Sequence, residues 1–161
     1  MKTVVILLGG NTGNVPLTFR SCIQEFEEEG YLVFDLSSIY QSTAWGYESE
    51  NQFYNQLIVL YTNNNPQQVL ADALRIENKL GRIRPTSTNY ADRPIDIDIM
   101  FYESDIVMED NLTIPHPRLH LRKFCLVPLM EIMPNFVHPS LNKSIKVLME
   151  ECPDSSKITS L

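Results

Sequence analysis

Apolar side chains run almost unbroken from Val4 to Leu8 and stop at Gly9-Gly10-Asn11. A short continuous apolar run ended by turn residues predicts a central strand covered on both faces. The spacing then becomes helical: Leu17, Cys22, Ile23 and Phe26 form a stripe, Asn14 stands at the cap with Pro16 in the first turn, and Gly30 closes the segment. Leu32, Phe34 and Leu36 alternate within a second strand, Tyr31 to Gln41, and Phe53, Asn55, Leu57, Val59 and Tyr61 share one face of a third, Phe53 to Thr62. Asn65-Pro66 opens a second helix over 66–80, with Val69, Leu70, Ala73, Leu74 and Ile76 buried and Gly81 at its end. Arg93 to Phe101 reads as a fourth strand, with Ile95, Ile97 and Ile99 turned to the core.

A hairpin-like excursion to about 114 follows, then the extended Pro115-His116-Pro117-Arg118. The remaining segments read as a mostly apolar short helix within 119–132, an edge strand at Phe136-Val137, a last helix over 142–150 and a frayed tail from Pro153. The order β-α-β-β-α-β predicts an α+β, ferredoxin-like antiparallel sheet with two helices packed on one face and a C-terminal extension. No linker, repeat or low-complexity stretch interrupts it, so 1–161 is expected to be one domain.

Charge sharpens this picture. The net charge of −7 argues against a nucleic-acid partner. The first apolar run is too short for a signal peptide, and no stretch is long enough to span a membrane. Cys22, Cys125 and Cys152 are scattered and odd in number, which fits a reducing cytoplasm and buried small side chains. Six of the 13 Lys and Arg residues nevertheless fall in two segments: Arg82, Arg84 and Arg93, then Arg118, Arg122 and Lys123. Such clusters in an acidic chain suit a small polyanion; solvated loop charge is the plainer alternative.

Asp96 and Asp98 stand two apart on the fourth strand, so both face one side, about 7 Å apart at Cα. Like charges held together call for a cation, and hard carboxylate oxygens suit Mg²⁺. The plainer reading is an acidic outer face of an edge strand. Asn55 is polar on an apolar, aromatic-rimmed face: it either meets a flat heteroaromatic ligand or ties down the preceding loop. Glu77 lies in the last turn of its helix, where the dipole disfavours an acid, which predicts pairing with Arg82 or Arg84 or a bond from a ligand. None of His116, His120 and His138 has zinc-ligand spacing to the cysteines, and no nucleophile triad is readable. Metal, cations and an acceptor pocket together are the parts of phosphoryl-type transfer. A two-metal nucleotidyl transferase or nuclease, and a non-catalytic binding module, are the alternatives.

The segments LLGGN (7–11), SSIYQS…WG (37–46), FYNQ (53–56), RIENKLGRIR (75–84), RPIDIDIM (93–100), IPHPRLHLRKFCLVPL (114–129) and EIMP (131–134) resemble those of the 6-hydroxymethyl-7,8-dihydropterin pyrophosphokinases of folate biosynthesis. The resemblance implies transfer of a pyrophosphoryl unit from ATP to the pterin hydroxymethyl group, by a cytoplasmic monomer acting on small molecules. It implies two Mg²⁺ ions on Asp96 and Asp98, with Arg82 and Arg93 joining these two in catalysis. Ser42, Thr43, Ala44, Trp45, Phe53, Asn55 and Phe124 would hold the pterin. Glu77, Arg82, Arg84, Tyr90, Arg93, His116, Arg118 and Arg122 would hold ATP. One departure stands out: where the family often has Arg-Trp-Gly-Pro-Arg, this chain has Asn89-Tyr90-Ala91-Asp92-Arg93. Tyr90 would replace the tryptophan as a lid contact, and Asp92 is an acid beside phosphates that would weaken ATP binding or cap a turn.

Overall fold

The computed structural model describes residues 1–42, 50–83 and 91–161. Its main sheet is built on β1 (Lys2–Gly10), with β5 (Asp96–Tyr102) on one side and β4 (Phe53–Thr62) on the other. Beyond β4 lie β2 (Leu32–Leu36) and β3 (Tyr40–Ser42), and all these pairings are antiparallel. The spatial order is the one expected of a β-α-β-β-α-β chain.

As its near-continuous apolar run predicts, β1 is buried on both faces. Val4, Ile6 and Leu8 pack with Ile95, Ile97 and Ile99 against α1 (Val15–Glu28) and α2 (Pro66–Lys79), through Phe19, Phe26, Val69 and Ile76. Both helices start as expected: Asn14 accepts from the Leu17 amide and Asn65 from the Gln68 amide, each followed by a proline in the first turn. Val5 and Leu7 face the other way, onto α3 (Lys123–Ile132) and α4 (Ile145–Glu151). The register of β1 on β5 shifts after Val5, so that Ile6 pairs with Ile99 and Val5 with Phe101. That bulge lets Ile99 serve the first core while Met100 and Phe101 serve the second. The three cysteines are free, with Cys22 and Cys125 buried in opposite cores.

The structure corrects five boundaries. The fourth strand, expected from Arg93 to Phe101, runs from Asp96 to Tyr102, since Pro94 has no N–H to give to a ladder. The second strand is two strands: buried Ser37 interrupts it, its amide donating to Leu57 O at 2.9 Å and its hydroxyl accepting from the Leu57 amide at 2.8 Å. The tail does not fray throughout: β8 (Thr159–Ser160) pairs with β3, and the Leu161 amide donates to Ile39 O at 2.9 Å. Backbone groups on the outer edge of a strand recruit such an addition. The last helix starts at Ile145, where Ser144 caps it by accepting from the Val147 amide. Phe136-Val137 forms only a bridge, Val137 to Ser144. The expected hairpin is present as β6 (Val107–Glu109) and β7 (Leu112–Ile114), and a short 3-10 turn at Leu119–Leu121 precedes α3.

Candidate active site

The register places the site. Gly9 pairs with Asp96 on one side and Asn55 on the other, and Leu7 pairs with Asp98. Cross-strand partners share a face, so a glycine separates the carboxylates from the amide. A Cβ on Gly9 would lie 2.9 Å from Asn55 Nδ2 and 3.1 Å from Phe53 Cε1. The absent side chain opens a cavity of about 370 Å³, bounded by Ser42, Phe53, Asn55 and Phe124 at one end and by Arg82, Arg93, Asp96, Asp98, His116, Arg118 and Arg122 at the other.

The apolar end has one exacting polar group. Asn55 is 3% exposed, and its Nδ2 donates to Leu8 O at 3.2 Å, which fixes the orientation of the amide. Its Oδ1 is a buried acceptor without a partner among the described residues, on a side chain that lines the cavity. A buried acceptor left unmatched costs about 1–3 kcal/mol, a cost that a ligand N–H would remove. The Arg93 guanidinium carbon sits 4.9 Å from the centre of the Phe53 ring, and that of Arg122 5.6 Å from the Phe124 ring. Each aromatic therefore adjoins a cation, which joins the two ends of the cavity.

At the charged end, Arg82 Nη1 and Arg93 Nη2 each lie 3.3 Å from one oxygen of Asp96. Arg82 also donates to Ile95 O at 3.2 Å and Arg93 to Ala91 O at 2.8 Å. Burial, then Asp96, then Glu77 push the Asp98 carboxyl well above the usual carboxylate range, with Arg122 and Arg93 pulling against them. A cation between the aspartates would relieve that repulsion. Among the described residues no group of three or more His, Cys, Asp or Glu side chains gathers into a metal cage. Two carboxylates fit Mg²⁺, which fills the rest of its shell with water and substrate phosphate oxygens.

Burial, then Arg122, lowers His116 to about 4, so the ring is neutral at physiological pH. Its Nδ1 accepts from the Arg118 amide at 3.2 Å, which leaves Nε2 as the proton-bearing donor. Arg122 is buried, while Arg118 is exposed.

A carboxyl raised in the folded state stabilises the protein below its unfolded pKa, and this stability is lost as pH rises through the folded value. The metal-free chain is therefore expected to lose melting temperature as pH moves from acidic to mildly alkaline. Asp98→Asn should flatten that fall, and added Mg²⁺ should oppose it in the unsubstituted chain. Identical pH profiles for the two proteins in thermal melts would refute the buried-charge assignment.

Glu77 lines neither end of the cavity. It is 2% exposed, and its Oε1 accepts from the Ile97 amide at 2.8 Å, between the two aspartates. Its place near the helix end is thus met by a backbone donor of β5. Thr43, Ala44, Trp45, Arg84 and Tyr90 lie outside the described residues.

A second cavity of about 320 Å³ shares Asp98, His116 and Pro117 with the first. Leu70, Ile97, Ile99 and Leu112 give it apolar walls, and Asp110, Asn111 and Thr113 from the hairpin give it polar ones. Sequence reasoning missed it because Leu70 and Leu112 look like ordinary core positions. Only the Asp110-Asn111 turn pair signalled a polar rim.

A cavity with a buried amide at one end and paired carboxylates with arginines at the other suits the class of transferases that set a flat acceptor against a polyphosphate. Residues 5–134 match the model of the 7,8-dihydro-6-hydroxymethylpterin-pyrophosphokinase family, and the chain belongs to that family. It is 34% identical over 152 residues to the 2-amino-4-hydroxy-6-hydroxymethyldihydropteridine pyrophosphokinase of Aquifex aeolicus, covering 94% of this chain and 92% of that protein. The protein of the same name in Synechocystis sp. is 37% identical over 148 residues, covering 91% of this chain and 74% of that one. Folic acid synthesis protein fol1 of Pneumocystis carinii is 34% identical across 95% of this chain, which spans only 20% of its length. The crystal structure of Plasmodium falciparum HPPK-DHPS with STZ-DHP shares the fold, with a TM-score of 0.74 at 17% identity, over 93% of this chain and 43% of that one.

Proposed function

We propose that the chain transfers the terminal pyrophosphoryl unit of ATP to 6-hydroxymethyl-7,8-dihydropterin, yielding AMP and the pterin diphosphate for folate synthesis. The observation that carries this reading is the unmatched Asn55 Oδ1 at the base of a slot that opens onto Asp96 and Asp98. A pterin offers ring N–H and amino groups to such an acceptor, and its faces suit Phe53 and Phe124. Ser42, Thr43, Ala44 and Trp45 border the ring in this reading.

The pterin hydroxymethyl oxygen attacks the β-phosphorus, the bond from that phosphorus to the α–β bridging oxygen breaks, AMP leaves with that oxygen and the bonding pair, and the hydroxyl proton passes to solvent water. Asp96 and Asp98 are the proposed ligands of two Mg²⁺ ions, which when bound would neutralise the phosphate oxygens flanking the moving group. Arg82 and Arg93, now on Asp96, exchange that carboxylate for phosphate oxygens. Arg84, Arg118 and Arg122 add positive charge along the triphosphate, and His116 Nε2–H donates to it. Glu77 holds β5 so that both aspartates keep their spacing. The second cavity takes the nucleoside, because it meets the first at Asp98 and His116; Tyr90 is the proposed lid contact of this reading. In this reading the chain acts as a monomer, and free cysteines suit a reducing cytoplasm.

The test is product analysis with Mg-ATP, with and without the pterin. AMP formed only with pterin supports the reading; ADP, or no pterin-dependent turnover, sinks it. Phe124→Ala is expected to weaken pterin binding about tenfold, the value of a lost aromatic contact, with little change in affinity for an ATP analogue. Equal losses for both ligands in calorimetric titrations would count against the stacking role.

A further inference from the structure

Asp92 is the acid that departs from the family run, and it sits in a three-way polar knot. Its Oδ1 accepts from Asn11 Nδ2 at 2.7 Å and its Oδ2 from Asn51 Nδ2 at 3.1 Å. Asn11 is 5% exposed and is bound twice more to the same strand entry: its Oδ1 accepts from the Arg93 amide at 2.8 Å, and its own amide donates to Arg93 O at 2.9 Å. Asn51 stands two residues before Phe53, on the acceptor side of the cavity. Arg93 follows Asp92 directly and reaches both Phe53 and Asp96.

We propose that Asp92 is a positioning residue for the transfer: it ties the acceptor-side chain at Asn51 and the phosphate-side chain at Arg93 to the buried Asn11, and so sets where Arg93 stands. This rests on the transfer reaction proposed above. The chemistry explains the residue type. Two amide N–H groups converge on this side chain, and a carboxylate offers two acceptor oxygens where an asparagine offers one. The competing idea, that the acid merely repels phosphates, predicts the opposite result on neutralisation.

The experiment compares Asp92→Asn, Asp92→Ala, Asn51→Ala and the Asp92→Ala/Asn51→Ala double variant by steady-state kinetics and by peptide-level hydrogen exchange on the metal-free chain. Each Asp92 variant is expected to lower kcat about tenfold, as loss of alignment does, with the ATP KM changed by less than about twofold. Asn51→Ala should lose less, and the double variant should be no worse than Asp92→Ala, because both remove one link. In Asp92→Ala, exchange should quicken together in the segments holding Asn51 and Arg93 while β1 is unchanged. Three results would overturn the proposal: Asp92→Asn lowering the ATP KM several-fold at unchanged kcat, losses that multiply in the double variant, or exchange that quickens around Arg93 alone. If the unsubstituted chain shows no pterin-dependent transfer, the reaction itself fails, and the exchange comparison still decides whether Asp92 joins the two segments.

Discussion

Asp98→Ala is expected to lose at least about a thousandfold in kcat, with a melting temperature equal to or above that of the unsubstituted chain. The size follows from removing a metal ligand and, with it, charge neutralisation at the reacting phosphates. The stability follows from the same carboxylate: Asp98 is partly buried beside Asp96 with its proton affinity raised, so its charge is a burden on the metal-free fold. Asp96→Ala should lose a similar factor with a different signature, because its oxygens also hold Arg82 and Arg93 at 3.3 Å. Half-saturation by Mg²⁺ should shift in both variants at raised metal concentrations. Near-normal Mg²⁺-dependent turnover in either would show that the pair is not the metal site.

The second large effect comes from the smallest side chain in the site. Gly9→Ala is expected to raise the pterin KM tenfold or more, because the added methyl group would stand 2.9 Å from Asn55 Nδ2 and 3.1 Å from Phe53 Cε1. Relief requires moving the Asn55 amide off Leu8 O or rotating Phe53, and overpacking of this kind costs about 1–3 kcal/mol. The ATP KM should stay within about twofold, since Gly9 borders the acceptor end. A Gly9→Ala protein that binds pterin normally in titrations would mean that the ring does not lie over β1.

The sheet was legible because its strands carry distinct patterns: β1 is apolar from Val4 to Leu8, β4 is mostly apolar and aromatic, β5 alternates from Asp96 to Ile99, and Asn14-Val15-Pro16 and Asn65-Pro66 mark both helix starts. The split at Ser37 was not legible, since a serine between Leu36 and Ser38 carries no sign that its hydroxyl will accept from Leu57 across the sheet. Nor was β8, because pairing of Thr159 with Gln41 depends on a vacant edge rather than on the tail's own pattern. For the site, two-residue periodicity put Asp96 and Asp98 on one face, and Asn55 announced itself as polar among apolar neighbours. What their spacing in sequence did not carry was registration: only the pairing of Gly9 with both Asp96 and Asn55 shows that a missing side chain makes the slot. The knot at Asp92 was invisible for a related reason, as its partners Asn11 and Asn51 lie 81 and 41 residues away.

The most direct test of the central claim follows a radiolabel placed on the β-phosphorus of ATP during a single turnover with excess enzyme, Mg²⁺ and 6-hydroxymethyl-7,8-dihydropterin. Transfer of the pyrophosphoryl unit as one piece predicts that the label moves with the pterin and that the nucleotide product is unlabelled AMP. Label retained in ADP, or released as free pyrophosphate without the pterin, would contradict it.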